Sequence, residues 1–240
     1  MQNHRTFHFT RSSACLQKAG LSPRHDTHTL AAQEHDPQTW HQGRERYAVW
    51  VIELAPQEGA AQAAISQRIH AVRQRLAPWI WWGQRQAHIT LQVCGFVSST
   101  NLAQAGHRND DYLPAWRQAQ HAALEALAPQ RFTLHIGEPD SFDSAAFLQV
   151  FDPQSALPAI RQALALPHAE FRQGDWVPHI TLGLYRQAWP KADVAAALSQ
   201  TLPEHNARLP LTVKALTLVD YEARSLSGPL RSLWRHPLAG

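Results

Sequence analysis

Hydrophobic and polar positions fall into two alternating kinds of pattern along the chain. Near-continuous apolar runs rich in β-formers occur at Tyr47–Leu54, His88–Val97, Ala145–Phe151 and Trp176–Tyr185, and each predicts a strand. Between them, apolar residues recur at helical spacing. Ile65, Ile69, Val72 and Leu76 form one stripe in a helix from about Gly59 to Leu76, with Arg68, Arg73 and Arg75 falling mostly away from it. Leu157, Ile160 and Leu164 form another in a helix from Ser155 to Leu166. Pro56 and Pro153 close the strands that precede these helices, and Pro78 stops the first helix. A further helix is predicted from about Tyr112 to Leu127, with Trp116, Ala123 and Leu127 on its apolar face, and a last one from Lys191 to Leu202. Arg131–Ile136 reads as a strand and Gly137-Glu138-Pro139-Asp140-Ser141 as a turn. Leu209–Tyr221 alternates as one long strand through Leu211, Val213, Leu216 and Leu218, and Ser227–Leu238 reads as a final edge strand.

Two of the predicted strands carry the same tetrapeptide. His88-Ile89-Thr90-Leu91 and His179-Ile180-Thr181-Leu182 both read HITL. On a strand, residues i and i+2 share a face. His88 and Thr90 therefore share one, backed by Ile89, Leu91 and Val93, and His179 with Thr181 repeats the arrangement, backed by Ile180, Leu182 and Leu184. His-x-Thr alone means little in a chain with 15 histidines, and it recurs at His4-Arg5-Thr6, His8-Phe9-Thr10 and His25-Asp26-Thr27, where there is no strand pattern. A four-residue identity inside two matching strands is a different matter. The order of elements repeats too. Strand, proline, helix, HITL strand, helix, strand runs from 47 to about 136 and again from about 145 to 220, headed by AVWVIELAP and AFLQVFDP. Such a repeat predicts two similar units. The expected fold is α+β and bilobal: two lobes related by an approximate two-fold, each an antiparallel sheet with flanking helices, about a central cleft. The halves are expected at about 46–137 and 138–225, with a C-terminal tail to 240.

Composition narrows the class. A chain of 240 residues with 44% hydrophobic and 17% charged residues can bury a core and is not disordered. No apolar run approaches the roughly 20 residues of a membrane helix, and no signal-peptide core is seen. Two cysteines, Cys15 and Cys94, make no disulfide framework, so a reducing cytoplasm is expected. The net charge of +3 comes mostly from arginine, which suits phosphate contacts. Residues 1–45 are polar and read as an irregular leader, with a helical turn near Leu30–Glu34. The leader's His4, His8, His25, His28, His35 and His41 match no compact metal site in their spacing. A histidine-rich metal protein built on this leader is one alternative, testable by metal content after its deletion. Neither a metal nor a cofactor is called for, and a monomer is the expected state.

The two motifs resemble those of the two-histidine phosphoesterase superfamily, the group that includes the bacterial RNA 2′,3′-cyclic phosphodiesterases, also called 2′-5′ RNA ligases. That family is defined by two His-x-Thr/Ser-hydrophobic motifs, roughly a lobe apart, on a bilobal α+β fold. Here His88–Leu91 and Pro178–Gly183 match, the proline before and the glycine after the second motif included, and the resemblance covers about residues 46–225. It implies hydrolysis, or reversible ligation, of a 2′,3′-cyclic phosphate or 2′-5′ phosphodiester at an RNA or nucleotide end, without a metal. His179 would act as base and His88 as acid, and Thr90 and Thr181 would donate hydrogen bonds to non-bridging phosphate oxygens. The family often has an arginine soon after the second motif's glycine; here Leu184 and Tyr185 precede Arg186, the candidate phosphate contact. Strand alternation puts Gln92 and Tyr185 on the faces of the catalytic pairs, where Tyr185 could stack on a base or reach a phosphate. Trp81, Trp82 and Arg85 could form a stacking platform. The alternative on the same fold is a nucleotide- or RNA-binding module without catalysis.

Overall fold

The computed structural model describes residues 27–32, 41, 43–54, 60–98, 110–167, 176–201, 208–225 and 227–240. The apolar runs become strands β1 (Arg46–Glu53), β3 (His88–Val97), β6 (Ala145–Phe151) and β7 (His179–Tyr185). The helical stripes become α1 (Ala60–Arg75) and α3 (Ala156–Ala163), whose Ile65, Ile69, Val72, Leu157 and Ile160 are buried, as are Leu76 and Leu164 just beyond. Between them lie β2 (Ile80–Trp81), β4 (Asp111–Tyr112), α2 (Pro114–Leu127) and β5 (Phe132–Ser141), and the chain ends with α4 (Lys191–Ser199), β8 (Leu209–Val213), β9 (Ala215–Glu222) and β10 (Arg231–Pro237).

All ten strands form one sheet in the order β10-β9-β1-β3-β7-β6-β5-β8, with β2 added to β7 and β4 to β3. Among the strand pairings of the described residues, β3–β4 alone is parallel. β8 and β9 lie near opposite ends of that order, yet Lys214 alone separates them. The sheet must therefore curl until its two ends approach. The halves β10-β9-β1-β3 and β7-β6-β5-β8 meet where Ile89 pairs with Ile180. Each sequence copy lends its last strand to the other half: β5 pairs with β6 and β8, and β9 pairs with β1 and β10. The main core joins helix stripes to strands of both halves. A smaller cluster, built on Val49, Val51, Val93 and Phe96, lies under Ala223 and Leu230.

Four local expectations need correction. The turn predicted at Gly137–Ser141 is strand: β5 runs through it with a register shift between Ile136 and Pro139, and the chain reverses at Phe142–Ser144, where the Phe142 N–H donates to the Ala145 carbonyl at 2.9 Å. Glycine and proline here mark a bulge, where a missing N–H is tolerated. The single strand predicted over Leu209–Tyr221 is split at Lys214 because its two parts pair at different ends of the sheet. The helix predicted from Tyr112 starts at Pro114, Tyr112 being in β4. Its Leu127 is exposed, and its buried face carries Gln120 and Leu124 instead. Gln120 accepts from Trp50 Nε1 at 2.9 Å and from the Tyr112 hydroxyl at 2.6 Å, and donates to the Leu164 carbonyl. With both ends of its amide hydrogen-bonded, this polar side chain can be buried. Part of the leader is packed: Leu30 and Ala31 are buried, the Thr29 N–H donates to the Trp189 carbonyl at 2.8 Å, and the Leu30 N–H donates to the Asp143 carbonyl at 2.7 Å.

His4, His8, His25, His35, Cys15 and the end of the expected turn at Leu30–Glu34 lie outside the described residues. Leu30 and Ala31 are not helical, and His41 Nδ1 accepts from the Gly43 N–H. Among the described residues no three His, Cys, Asp or Glu side chains form a metal-holding group, and no helix is long and apolar enough to cross a membrane.

Asp220 of β9 is fully buried and bonded to Arg46 of β1 and to Arg231 of β10, the latter through Oδ1 at 3.0 Å and Oδ2 at 2.6 Å. Burial raises its pKa, but the bonds from Arg231 and Arg46 outweigh that and hold it below the usual carboxylate range. A depressed folded-state pKa stabilises the fold in full above the unfolded-chain value of ~3.9 and ceases to do so as the pH falls from there through the folded value. Asp220→Asn should cost on the order of 2–3 kcal/mol at neutral pH by chemical denaturation, with the difference from wild type shrinking below about pH 4.

Candidate active site

The site is set by the pairing of Ile89 with Ile180, both fully buried, in the antiparallel β3–β7 contact. One residue to either side, the antiparallel count brings His88 opposite Thr181 and Thr90 opposite His179. All four point away from the isoleucines, to the other face. His88 and His179 are then diagonal neighbours, with backbones roughly 7–8 Å apart. The four half-buried side chains line one cleft of about 170 Å³.

Both imidazoles are held alike. His88 Nδ1 lies 2.8 Å from the Gln86 carbonyl and His179 Nδ1 lies 2.7 Å from the Val177 carbonyl, in each case two residues upstream. A carbonyl can only accept, so Nδ1 carries the hydrogen and the lone pair of the neutral ring is on Nε2. The surroundings differ. Across β3, His88 is paired with Glu53 of β1, whose Oε2 accepts from Thr217 Oγ1 at 2.8 Å. The His179 ring meets Phe142 edge-on at 4.7 Å and Phe147 at 5.5 Å.

Gln92 and Tyr185 do not share the faces of the His-x-Thr pairs. Both are buried, and neither lines the cleft. One cause serves for both. In the β1–β3 register Val51 pairs with Thr90 but Trp50 with Gln92, leaving Leu91 as an extra residue. In the β6–β7 register Phe147 pairs with Thr181 but Ala146 with Gly183, leaving Leu182 extra. A bulge thus follows the threonine of each motif and reverses the alternation. Val93 consequently joins the smaller cluster on the cleft side, while Tyr185 joins the main core and its hydroxyl bonds Ser141 Oγ. Burial pushes the Tyr185 pKa well up, so it stays a neutral phenol. Arg186 is exposed beyond β7, its Nε donating to the Ala77 carbonyl at 3.0 Å, and it does not line the cleft.

The facing wall comes from β2 and the loop after it. β2 pairs with the end of β7, Trp81 opposite Leu184. Gly183 makes this approach possible, since a Cβ there would stand 2.7 Å from the Trp81 carbonyl oxygen. Trp81, Trp82 and Arg85 all line the cleft. Arg85 also ties down the loop that carries Ser227, donating to the Gly228 and Ser225 carbonyls at 3.2 Å with its guanidinium 3.9 Å over the Tyr221 ring. Arg73 reaches the cleft from α1, where the stripe pattern had turned it away from the core; burial pulls its pKa down. Among the described residues the lining has two arginines and two histidines and neither aspartate nor glutamate. Such a cleft attracts anions.

The sequence pattern of the 2′-5′ RNA ligase superfamily matches residues 61–225, more than half of the chain. No protein with a curated description matches the sequence. Solved structures share the fold at low identity. The conserved protein ATU0111 of Agrobacterium tumefaciens is 14% identical, with a TM-score of 0.52 over 85% of this chain and 95% of that one. TT0787 of Thermus thermophilus is 15% identical, with a TM-score of 0.50 over 81% and 98%. E. coli LigT complexed with phosphate is 15% identical, with a TM-score of 0.48 over 82% and 100%. For the first two the likeness is one of fold alone, and membership is carried by the sequence match: the chain belongs to the 2′-5′ RNA ligase superfamily, the two-histidine phosphoesterases.

Proposed function

We propose that the protein is a metal-independent phosphoesterase that opens a 2′,3′-cyclic phosphate, or cleaves a 2′-5′ phosphodiester, at the end of an RNA or on a nucleotide. The observation that carries this reading is the convergence of two His-x-Thr pairs on one face of a cleft that, among the described residues, is lined by no carboxylate. We read the repeat as two lobes about an approximate two-fold at the Ile89–Ile180 pair, which sets one imidazole on each side of a single phosphorus.

In this mechanism water attacks phosphorus in line with the departing ribose oxygen. Nε2 of neutral His179 takes the proton from water as the new P–O bond forms. Nε2–H of protonated His88 gives a proton to the ribose oxygen as the old P–O bond breaks, leaving a phosphomonoester and a free hydroxyl. The two rings have different neighbours, Glu53 across the strand from His88 and the edges of Phe142 and Phe147 against His179, so the two copies of the motif are not equivalent. The hydroxyls of Thr90 and Thr181 donate to the non-bridging oxygens, whose charge grows in the transition state.

The test is hydrolysis of a nucleoside 2′,3′-cyclic phosphate with EDTA present. His88→Ala and His179→Ala should each lower kcat by about 10²–10⁴-fold. Equal rates for wild type and both variants sink the proposal, and tight binding without turnover identifies a binding module instead. Thr90→Val and Thr181→Val should each cost about 10²-fold, mainly in kcat, because their bonds strengthen as charge develops. Steady-state kinetics separate this from a loss confined to KM.

A further inference from the structure

The helices before the two motifs carry a second repeat. Val72-Arg73-Gln74-Arg75-Leu76 ends α1, and Ile160-Arg161-Gln162-Ala163-Leu164 ends α3, so each has an arginine between two buried stripe residues. Both arginines reach across to the bulged leucine of the opposite motif. Arg73 Nε donates to the Leu182 carbonyl at 2.8 Å, and Arg161 donates to the Leu91 carbonyl. Each guanidinium also lies near a tryptophan, Arg73 5.8 Å from the Trp82 ring and Arg161 4.3 Å from the Trp176 ring. A bulge takes a carbonyl out of its ladder, and the arginine of the other copy answers it.

The two clasps differ in one respect. Trp176 lies close over Arg161 and donates from Nε1 to the Thr90 carbonyl at 3.2 Å, and Arg161 does not line the cleft. Arg73 does line it, with both histidines and both threonines. Among the described residues its terminal nitrogens have no hydrogen-bond partner and no carboxylate pairs with it. Leu184, Thr181 and Leu182 share that wall, and Arg186 is turned away. A half-buried guanidinium keeps its charge, and its desolvation is offset only when an anion docks.

We infer that Arg73 is the phosphate-binding residue of the cleft, its terminal N–H groups gripping non-bridging phosphate oxygens while Nε, fixed to the Leu182 carbonyl, holds the fork in register with Thr181. Arg161 is its structural twin, a tie between helix and bulge that does not reach the cleft. The inference rests on the phosphoesterase reading for the identity of the substrate, but not for the affinity of the cleft for an anion.

The experiment titrates inorganic phosphate into the full chain by calorimetry, for wild type, Arg73→Gln, Arg73→Lys, Arg161→Gln and Arg75→Gln. Arg73→Gln should weaken phosphate binding by about tenfold or more, and Arg73→Lys should recover part of it as a point charge without the fork. Arg161→Gln, which loses the equivalent carbonyl anchor, and Arg75→Gln, which loses the same net charge, should bind as wild type does. With a cyclic phosphate substrate, KM should rise in Arg73→Gln. The inference is overturned if wild type does not bind phosphate, if Arg73→Gln binds it unchanged, or if Arg73→Gln and Arg161→Gln lose affinity equally. Selective loss in Arg73→Gln beside a wild type that turns over no substrate would keep Arg73 as the anion site and remove the enzymatic reading.

Discussion

The site depends on one backbone pairing, Ile89 against Ile180. Beyond it β3 and β7 go to different neighbours, β1 on one side and β6 on the other. The pairing holds because both isoleucine side chains are buried in the main core, where sliding one strand by a residue would exchange two branched alkyl groups for a histidine and a threonine. The hydrophobic side of the sheet thus specifies the register, and the register aligns the polar side. Two imidazoles and two hydroxyls thus reach one cleft, one pair on each of the two strands.

Both histidines take their ring orientation from a main-chain carbonyl of their own chain segment, Gln86 in one case and Val177 in the other. A carbonyl only accepts, so in the neutral ring the hydrogen sits on Nδ1 in both copies. Cations and aromatic rings around these fixed rings give an environment already polarised for an anion before any arrives, the condition under which electrostatic stabilisation needs no rearrangement during the reaction. The arginines of α1 and α3 extend this rigidity by tying each bulge to a helix of the other copy.

Much of this was legible in the sequence, and the limits have physical causes. Period two told correctly which way His88, Thr90, His179 and Thr181 face, because each pair spans only three residues. It failed for Gln92 and Tyr185 because a bulge depends on how the partner strand is counted, and β1 and β6 are distant in sequence. Helical period found Ile65, Ile69, Val72 and Leu76 but could not find Gln120, whose burial rests on hydrogen bonds from Trp50 and Tyr112 and to Leu164. Trp81 and Trp82 were conspicuous by composition, yet a strand of two residues has no period to read, and only Gly183 in the facing strand hinted that a wall would close there.

The exchange of terminal strands has a consequence for the integrity of the chain. β5 completes the sheet of the second copy and β9 that of the first. A fragment ending near Ser144 would therefore keep a strand it cannot pair at home and lack one it needs, with an open hydrophobic edge in both places. Cleavage of the backbone there would leave two interlocked pieces held by main-chain ladders, each acting as the chaperone of the other.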